Sequence, residues 1–406
     1  LVAGADSGSA DPLAIAPESS GSIFLDGHLS ASYRRRNGNT VAVLAPTMIR
    51  TGTGSISIAA AGDLQLRDTL APGVIYTAGR PVDGATAAPR SQLLEGVGGL
   101  PVVLDSGDVL AEGAGDILIR VGRDIVGIQR VIDDGSRTGR KGTNLSQYWW
   151  PWMQDECWFS GGCTVPDRSR ISFGIFGQGV LSLGGDIDVR AGRDIAQLSV
   201  SLPVNWQRSG GVGAAVETFG GGDLQLEAGR DIVSGAIFVA DGDARIRAGN
   251  DIRAGISAGN GAALGTLFAL QDARLAVSAG GGVQIGGVFN PSYLFRDFDG
   301  RAYGAGSALA VRAERGDISL GRVSGEFGFG ARSGLSPSYV FVLPASLELA
   351  ALDGGIRIDA NGELFPAARG QLELLARGDI RLANGTISGT RFGLIDALPS
   401  RLPSAE

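Results

Sequence analysis

Pairs of carboxylates eight positions apart recur along this chain, and they are the first residues with the makings of a chemical site. They are Asp116 and Asp124, Asp186 and Asp194, Asp223 and Asp231, and Asp243 and Asp251. They sit in the phrases GDILIRVGRDI (Gly115 to Ile125), GDIDVRAGRDI (Gly185 to Ile195), GDLQLEAGRDI (Gly222 to Ile232) and GDARIRAGNDI (Gly242 to Ile252). Looser copies run from Ala310 to Leu320 and from Leu372 to Leu382. Brought into line, Asp194, Asp231 and Asp251 would form a column of carboxylates of the kind that binds Ca²⁺. A tight corner uses the same residues without a metal, because Asp accepts hydrogen bonds from turn N–H groups and offsets Arg193 and Arg230 beside it. The corner reading is preferred, and the Ca²⁺-binding nonapeptide spacing is not met around Phe219 to Asp223. No metal and no cofactor are expected.

A second candidate breaks the repeat. Tyr148, Trp149, Trp150, Trp152, Trp158 and Phe159 fall within twelve residues and include four of the chain's five Trp. Exposed, these rings would offer sugar-stacking or hot-spot surface; buried, they would form an apolar lid on one flank. The lid is favoured because large aromatic surfaces are costly to hydrate, and the binding reading stays with whichever rings are exposed. Cys157 and Cys163, in CWFSGGC, are spaced to close a disulfide loop over a Gly-Gly turn if the protein is secreted. A zinc site would need further ligands, and the one His is the distant His28. A Ser-His-Asp triad would also have to use His28. The Asp and Arg residues otherwise keep to the repeat phase, so the chain is read as no enzyme.

The elements that must position these residues follow from alternation. Ile187, Val189 and Ala191 alternate with Asp188 and Arg190, Leu224, Leu226 and Ala228 with Gln225 and Glu227, and Ala244, Ile246 and Ala248 with Arg245 and Arg247. Period 2 with one apolar face is the pattern of a half-buried strand. Gly192, Gly229 or Gly249 then supplies a corner, read as a residue able to take positive φ, and a second strand begins at Ile195, Ile232 or Ile252. The last two clear copies are twenty residues apart, and a strand–corner–strand unit at that period is the signature of a stacked solenoid. The predicted fold is all-β, a right-handed parallel β-helix. Its inward residues should include Ile187, Val189, Leu224, Leu226, Ile246, Val311, Leu349 and Leu372. Glu227 should stack beside Arg247 and Gln225 beside Arg245. A dozen or more coils would make a rod of roughly 60–80 Å.

The 406 residues divide into weakly patterned opening coils (1–53), a β-helix (54–392) and a linker-like tail (393–406). Insertions are expected at 133–171, 289–306 and 333–344, as corner loops that leave the stack continuous. Gly is abundant at 66, yet hydrophobic residues hold at 44%, which argues for turn-dense order over disorder. A net charge of −7 gives nucleic-acid binding no electrostatic support. No apolar run is long enough for a transmembrane helix. The chain opens at Leu1 with no leader pattern and reads as an internal or mature piece of something longer.

The AGRDI and AGNDI phrases in Gly-rich alternating strands resemble the repeats of filamentous haemagglutinin-type exoproteins, over roughly Gly54 to Leu382. The resemblance implies a parallel β-helix from a large adhesin of a Gram-negative bacterium, secreted or held at the cell surface. It implies an outer-membrane two-partner secretion transporter as export partner, and a host-cell or bacterial surface receptor or glycan as target. The family's Asn-Pro-rich secretion domain is not seen, and Asn290-Pro291 lies inside an insertion, so a downstream shaft segment is expected. The alternative is a polysaccharide-active or carbohydrate-binding β-helix protein.

Overall fold

The computed structural model describes residues 1–34, 40–68, 73–82, 90–95, 101–106, 108–128, 131–133, 141–143, 153–155, 168–172, 176, 178–208, 215–256, 263–291, 303–321, 342–359, 362–382 and 392–394. Among these residues there is no α-helix, and 24 strands join in one array whose pairings are parallel. Alternation explains why. In Ile187–Ala191 the burial runs buried, half-buried, buried, half-buried, buried, and in Leu224–Ala228 buried, exposed, buried, half-buried, buried. Such a strand has one face to bury and two edges to pair, and a copy of itself one coil away satisfies both.

The first face comprises Val2–Ala3, Ile56–Ala60, Ile117–Val121, Ile187–Ala191, Leu224–Ala228, residues 244–248 of Ala236–Ala248, residues 274–279 of Thr266–Ala279, Ala308–Ala313, Ser346–Ala351 and Gln371–Ala376. The second runs Ile23–Phe24, Leu64–Gln65, Ile125–Val126, Ile195–Ala196, Ile232–Val233, Ile252–Arg253, residues 283–285 of Val283–Phe289, Ile318–Leu320, Ile356–Ile358 and Ile380–Leu382. Strands in each series pair in parallel with the coils before and after, so ten coils stack. A third face follows the second in each coil, from Met48–Thr51 through Val74–Thr77, Gly179–Ser182 and Ser199–Leu202 to residues 236–239, 266–270 and 287–289. In the last three coils Val342–Leu343, Gly362–Leu364 and Phe392–Leu394 form a separate parallel sheet.

The register is the expected one: Gln225 lies opposite Arg245 and Glu227 opposite Arg247. Ile187, Val189, Leu224, Leu226, Ile246, Val311 and Leu349 are buried in one core that runs the length of the stack. Each such side chain contributes about 1.5–3 kcal/mol. Leu372 differs. It lies opposite the buried Leu347, yet is 36% exposed, because it belongs to the tenth coil and no described coil covers its far side. Ile380 and Leu382 in the same coil are exposed for the same reason. The length also differs from expectation, since nine steps of about 4.8 Å give about 43 Å for the described coils.

Corner glycines are required for a different reason from the one their sequence position suggests. Gly192, Gly229 and Gly249 are not among the glycines with positive φ. A Cβ on them would lie 2.1 Å from the Gly122 oxygen, 2.2 Å from the Gly192 oxygen and 2.1 Å from the Gly229 oxygen, respectively. Backbone stacks on backbone at this corner, and no side chain fits between.

Excursions leave the stack at its corners and fold back on it. Residues 131–172 include the antiparallel pair Val131–Asp133 with Lys141–Thr143, and Met153–Asp155 pairs with Arg168–Ser172. The latter joins Asp108–Val109, Val204–Arg208 and Val216–Gly220 in an antiparallel side sheet. Its residues Ile171 and Val204 pack with Val74, Tyr76, Leu181 and Leu183 of the third face in a second core. Asn205 fixes this sheet: fully buried, it donates to the Ala111 and Phe219 carbonyls and accepts from the Ala111 N–H. Residues 1–53 hold the first coil and the hairpin His28–Arg34 with Thr40–Pro46. Phe392–Leu394 belongs to the last coil, and residues 395–406 lie outside the described residues.

Candidate functional site

The repeated carboxylates do line up. The residue before each second-face strand is Ser22, Asp63, Asp124, Asp194, Asp231, Asp251, Gly282, Asp317, Gly355 and Asp379 in coil order. Each Asp from Asp63 to Asp251 accepts, through Oδ1, the N–H of its counterpart one coil on, at 2.7–3.2 Å. A parallel column, Asp116, Asp186 and Asp223, does the same before the first-face strands, ending on the Asp243 N–H.

The residue just before the second-face column in each coil shows what else these carboxylates accept. Arg123 pairs with Asp63, Arg193 with Asp124, Arg230 with Asp194, and Asn250 donates to Asp231. Arg253 of the second face also reaches Asp231, at 3.0 Å. The Arg230 hydrogen bond holds the Asp194 carboxyl below the usual carboxylate range, outweighing an opposing effect of burial. For Asp231, burial pushes up, but hydrogen bonds from Asn250, the Asp251 N–H and Arg253 together bring it below that range. The Arg230 guanidinium is correspondingly raised by Asp194. These carboxylates are committed to joining coils.

The pattern changes in the later coils. Gly281, Gly316, Gly354 and Gly378 stand where Arg or Asn stood, and with the Arg gone the corner is open. An exposed groove of about 910 Å³ runs there along the outer side of the second face, from Asp251 to Arg381. Asp251, Asp317 and Asp379 mark one edge, on alternate coils. Beside them run Arg253, Gln284, Ser319, Arg357 and Arg381, one per coil. Asp317 accepts the Gly355 N–H at 2.7 Å through Oδ1, Arg357 pairs with Asp359, and Arg381 with Asp379. Sequence reasoning missed this groove, although the switch from Arg to Gly before the column was there to be seen.

Other candidates are not brought together. Tyr148, Trp149, Trp150, Trp152, Cys157, Trp158, Phe159 and Cys163 lie outside the described residues, though the strands flanking 156–167 belong to the side sheet. The fifth Trp, Trp206, is buried in that sheet. His28 Nδ1 lies 2.9 Å from Asp68 Oδ2 at the surface, and among the described residues no hydroxyl bonds to the imidazole. Among the described residues no three His, Cys, Asp or Glu side chains are grouped to hold a metal, and no helix is long and apolar enough to cross a membrane. No family model, curated protein or solved structure matches the chain.

Proposed function

We propose that the chain is a stretch of the shaft of a filamentous haemagglutinin-type exoprotein, exported by two-partner secretion and shown at or released from a Gram-negative cell surface. It acts by length, rigidity and displayed excursions, attaching to a host-cell or bacterial surface receptor or glycan, and it carries no catalytic centre. One observation carries this reading: the residues best suited to chemistry, the repeated Asp and Arg, are spent joining one coil to the next. A carboxylate that accepts a neighbouring coil's N–H and an Arg guanidinium together has little capacity left to act as acid, base or metal ligand. Whichever of the aromatic rings at 148–159 are exposed are the proposed contact surface.

Beads coated with residues 1–406 test this. Retention on epithelial or bacterial cells above that of beads coated with an unrelated protein of similar net charge supports attachment. Equal retention counts against it. Release of reducing ends or unsaturated products from acidic polysaccharides by the purified chain would instead establish the polysaccharide-active alternative.

A further inference from the structure

The geometry points to the open groove on the second face, coils six to ten, as a binding site for a neutral, extended, 1→4-linked glycan. This deepens the adhesive reading by giving the shaft a ligand, and it uses none of the aromatic segment.

Three features select the ligand. The first is spacing. Coils rise by about 4.8 Å, and a pyranose in an extended 1→4-linked chain advances by about the same amount. One sugar thus meets one coil, and each disaccharide meets one of Asp251, Asp317 and Asp379, which lie on alternate coils. An extended peptide, rising about 3.3 Å per residue, sets three residues on every two coils, so it misses the coil between and turns side chains to opposite faces at successive alternate coils. The second is hydrogen bonding. Asp251 and Asp317 are bonded to coil N–H groups through Oδ1, Asn250 donates to Asp251 Oδ2 at 3.0 Å, and no Arg pairs with either among the described residues, so each keeps lone pairs on Oδ2. They are placed to accept sugar hydroxyls, while Arg253 and Arg357 donate and Gln284 and Ser319 do both. The third is charge. Asp251, Asp317 and Asp379 are balanced by Arg253, Arg357 and Arg381, so neither a polyanion nor a polycation gains net attraction, which favours an uncharged chain rich in hydroxyls.

The floor is built for close approach. Backbone atoms already crowd the corner, since a Cβ on Gly316 would lie 2.6 Å from the Gly282 nitrogen and one on Gly354 2.3 Å from the Gly316 oxygen. Glycine there strips the corner to main chain, so a ligand can lie against it. From coil six to coil ten the groove extends about 19 Å, room for four or five sugars.

Isothermal titration calorimetry of the 406-residue chain with cello- and chito-oligosaccharides tests the site, with hexagalacturonate and hexalysine as charged controls. Affinity should rise with length up to about five sugars and then level off. Ser319→Trp fills the groove from an outward position and should weaken cellohexaose at least about tenfold. Asp317→Asn should weaken it several-fold while the melting temperature holds, because the Asn oxygen still accepts the Gly355 N–H; this variant decides the matter if Ser319→Trp fails to fold. Absence of binding by either neutral hexamer, tighter binding of hexagalacturonate or hexalysine, or unchanged affinity in both folded variants would overturn the inference. Beads that attach to cells while no oligosaccharide binds would remove the groove and keep the adhesive reading. Oligosaccharide binding without bead attachment would do the reverse.

Discussion

Replacing Gly229 by Ala should destabilise the stack, against the ordinary effect of that substitution. At a corner with ordinary φ, Gly→Ala usually gains about 0.4–1 kcal/mol by restricting the unfolded chain. Here the new Cβ would sit 2.2 Å from the Gly192 oxygen and 2.9 Å from the Gly192 carbonyl carbon. Comfortable contact lies near 3.5 Å, so the coils must part locally by about 1 Å. Two coil-to-coil hydrogen bonds span this point, Gly229 N–H to the Ala191 oxygen at 2.9 Å and Arg230 N–H to the Arg193 oxygen at 2.8 Å. Losing them costs about 1–3 kcal/mol each, so after the unfolded-chain gain a net loss of about 1–5 kcal/mol is expected. Gly54→Ala is the control, since its Cβ would meet nothing nearer than Thr51 Cβ at 4.0 Å. Equilibrium urea unfolding, followed by far-UV circular dichroism, should move the midpoint down for Gly229→Ala and slightly up for Gly54→Ala. A Gly229→Ala protein as stable as the parent would refute the close-approach explanation of the repeat's glycines.

Acid should weaken the stack through the Asp column. Asp194 and Asp231 have depressed folded-state pKa values, so their contribution is fully present above the unfolded carboxyl pKa of about 4 and is lost as pH falls through the folded values. Urea midpoints should hold from neutral pH to about 5 and fall below about 4, with Asp194→Asn making that fall shallower; an unchanged acid slope in the variant would disconnect Asp194 from it. Asn205→Ala removes the side-chain partner of two buried backbone groups at Ala111 and of the half-buried Phe219 carbonyl and should cost about 2–4 kcal/mol, with amide exchange rising first across Val204–Gly220; uniform exchange along the chain would contradict a local role. Cys157 and Cys163 should resist thiol labelling in the native, air-oxidised protein and label after reduction, and labelling of both before reduction would exclude the disulfide.

The coil was legible in the sequence because its rule is local. Period-2 alternation gives the strand, and the twenty-residue offset between Leu224 and Ala244 sets the register, so the pairing of Glu227 with Arg247 could be read directly. Other features depend on residues far apart in sequence. The side sheet joins Asp108–Val109 to Arg168–Ser172 and then to Val204–Arg208, across excursions with no period. Nothing near Asn205 shows that it will meet Ala111. The corner glycines looked like turn residues, because sequence shows a bend and not the backbone of the next coil pressing on it. The groove was hidden by the same repeat that revealed the fold: Asp251, Asp317 and Asp379 share the phase of the structural Asp column, and only the Gly that replaces Arg or Asn from coil seven onward marks the change.

Electron–electron distances between spin labels test the continuous stack most directly. Gln65, Arg253 and Arg357 occupy equivalent outward positions on the second face in coils two, six and nine. With Cys157 and Cys163 replaced by Ser, labels at Gln65 and Arg253 should lie about 19 Å apart, and labels at Gln65 and Arg357 about 34 Å apart, in proportion to four and seven coil steps. Two distances that do not scale with the number of intervening coils would contradict a single in-register solenoid.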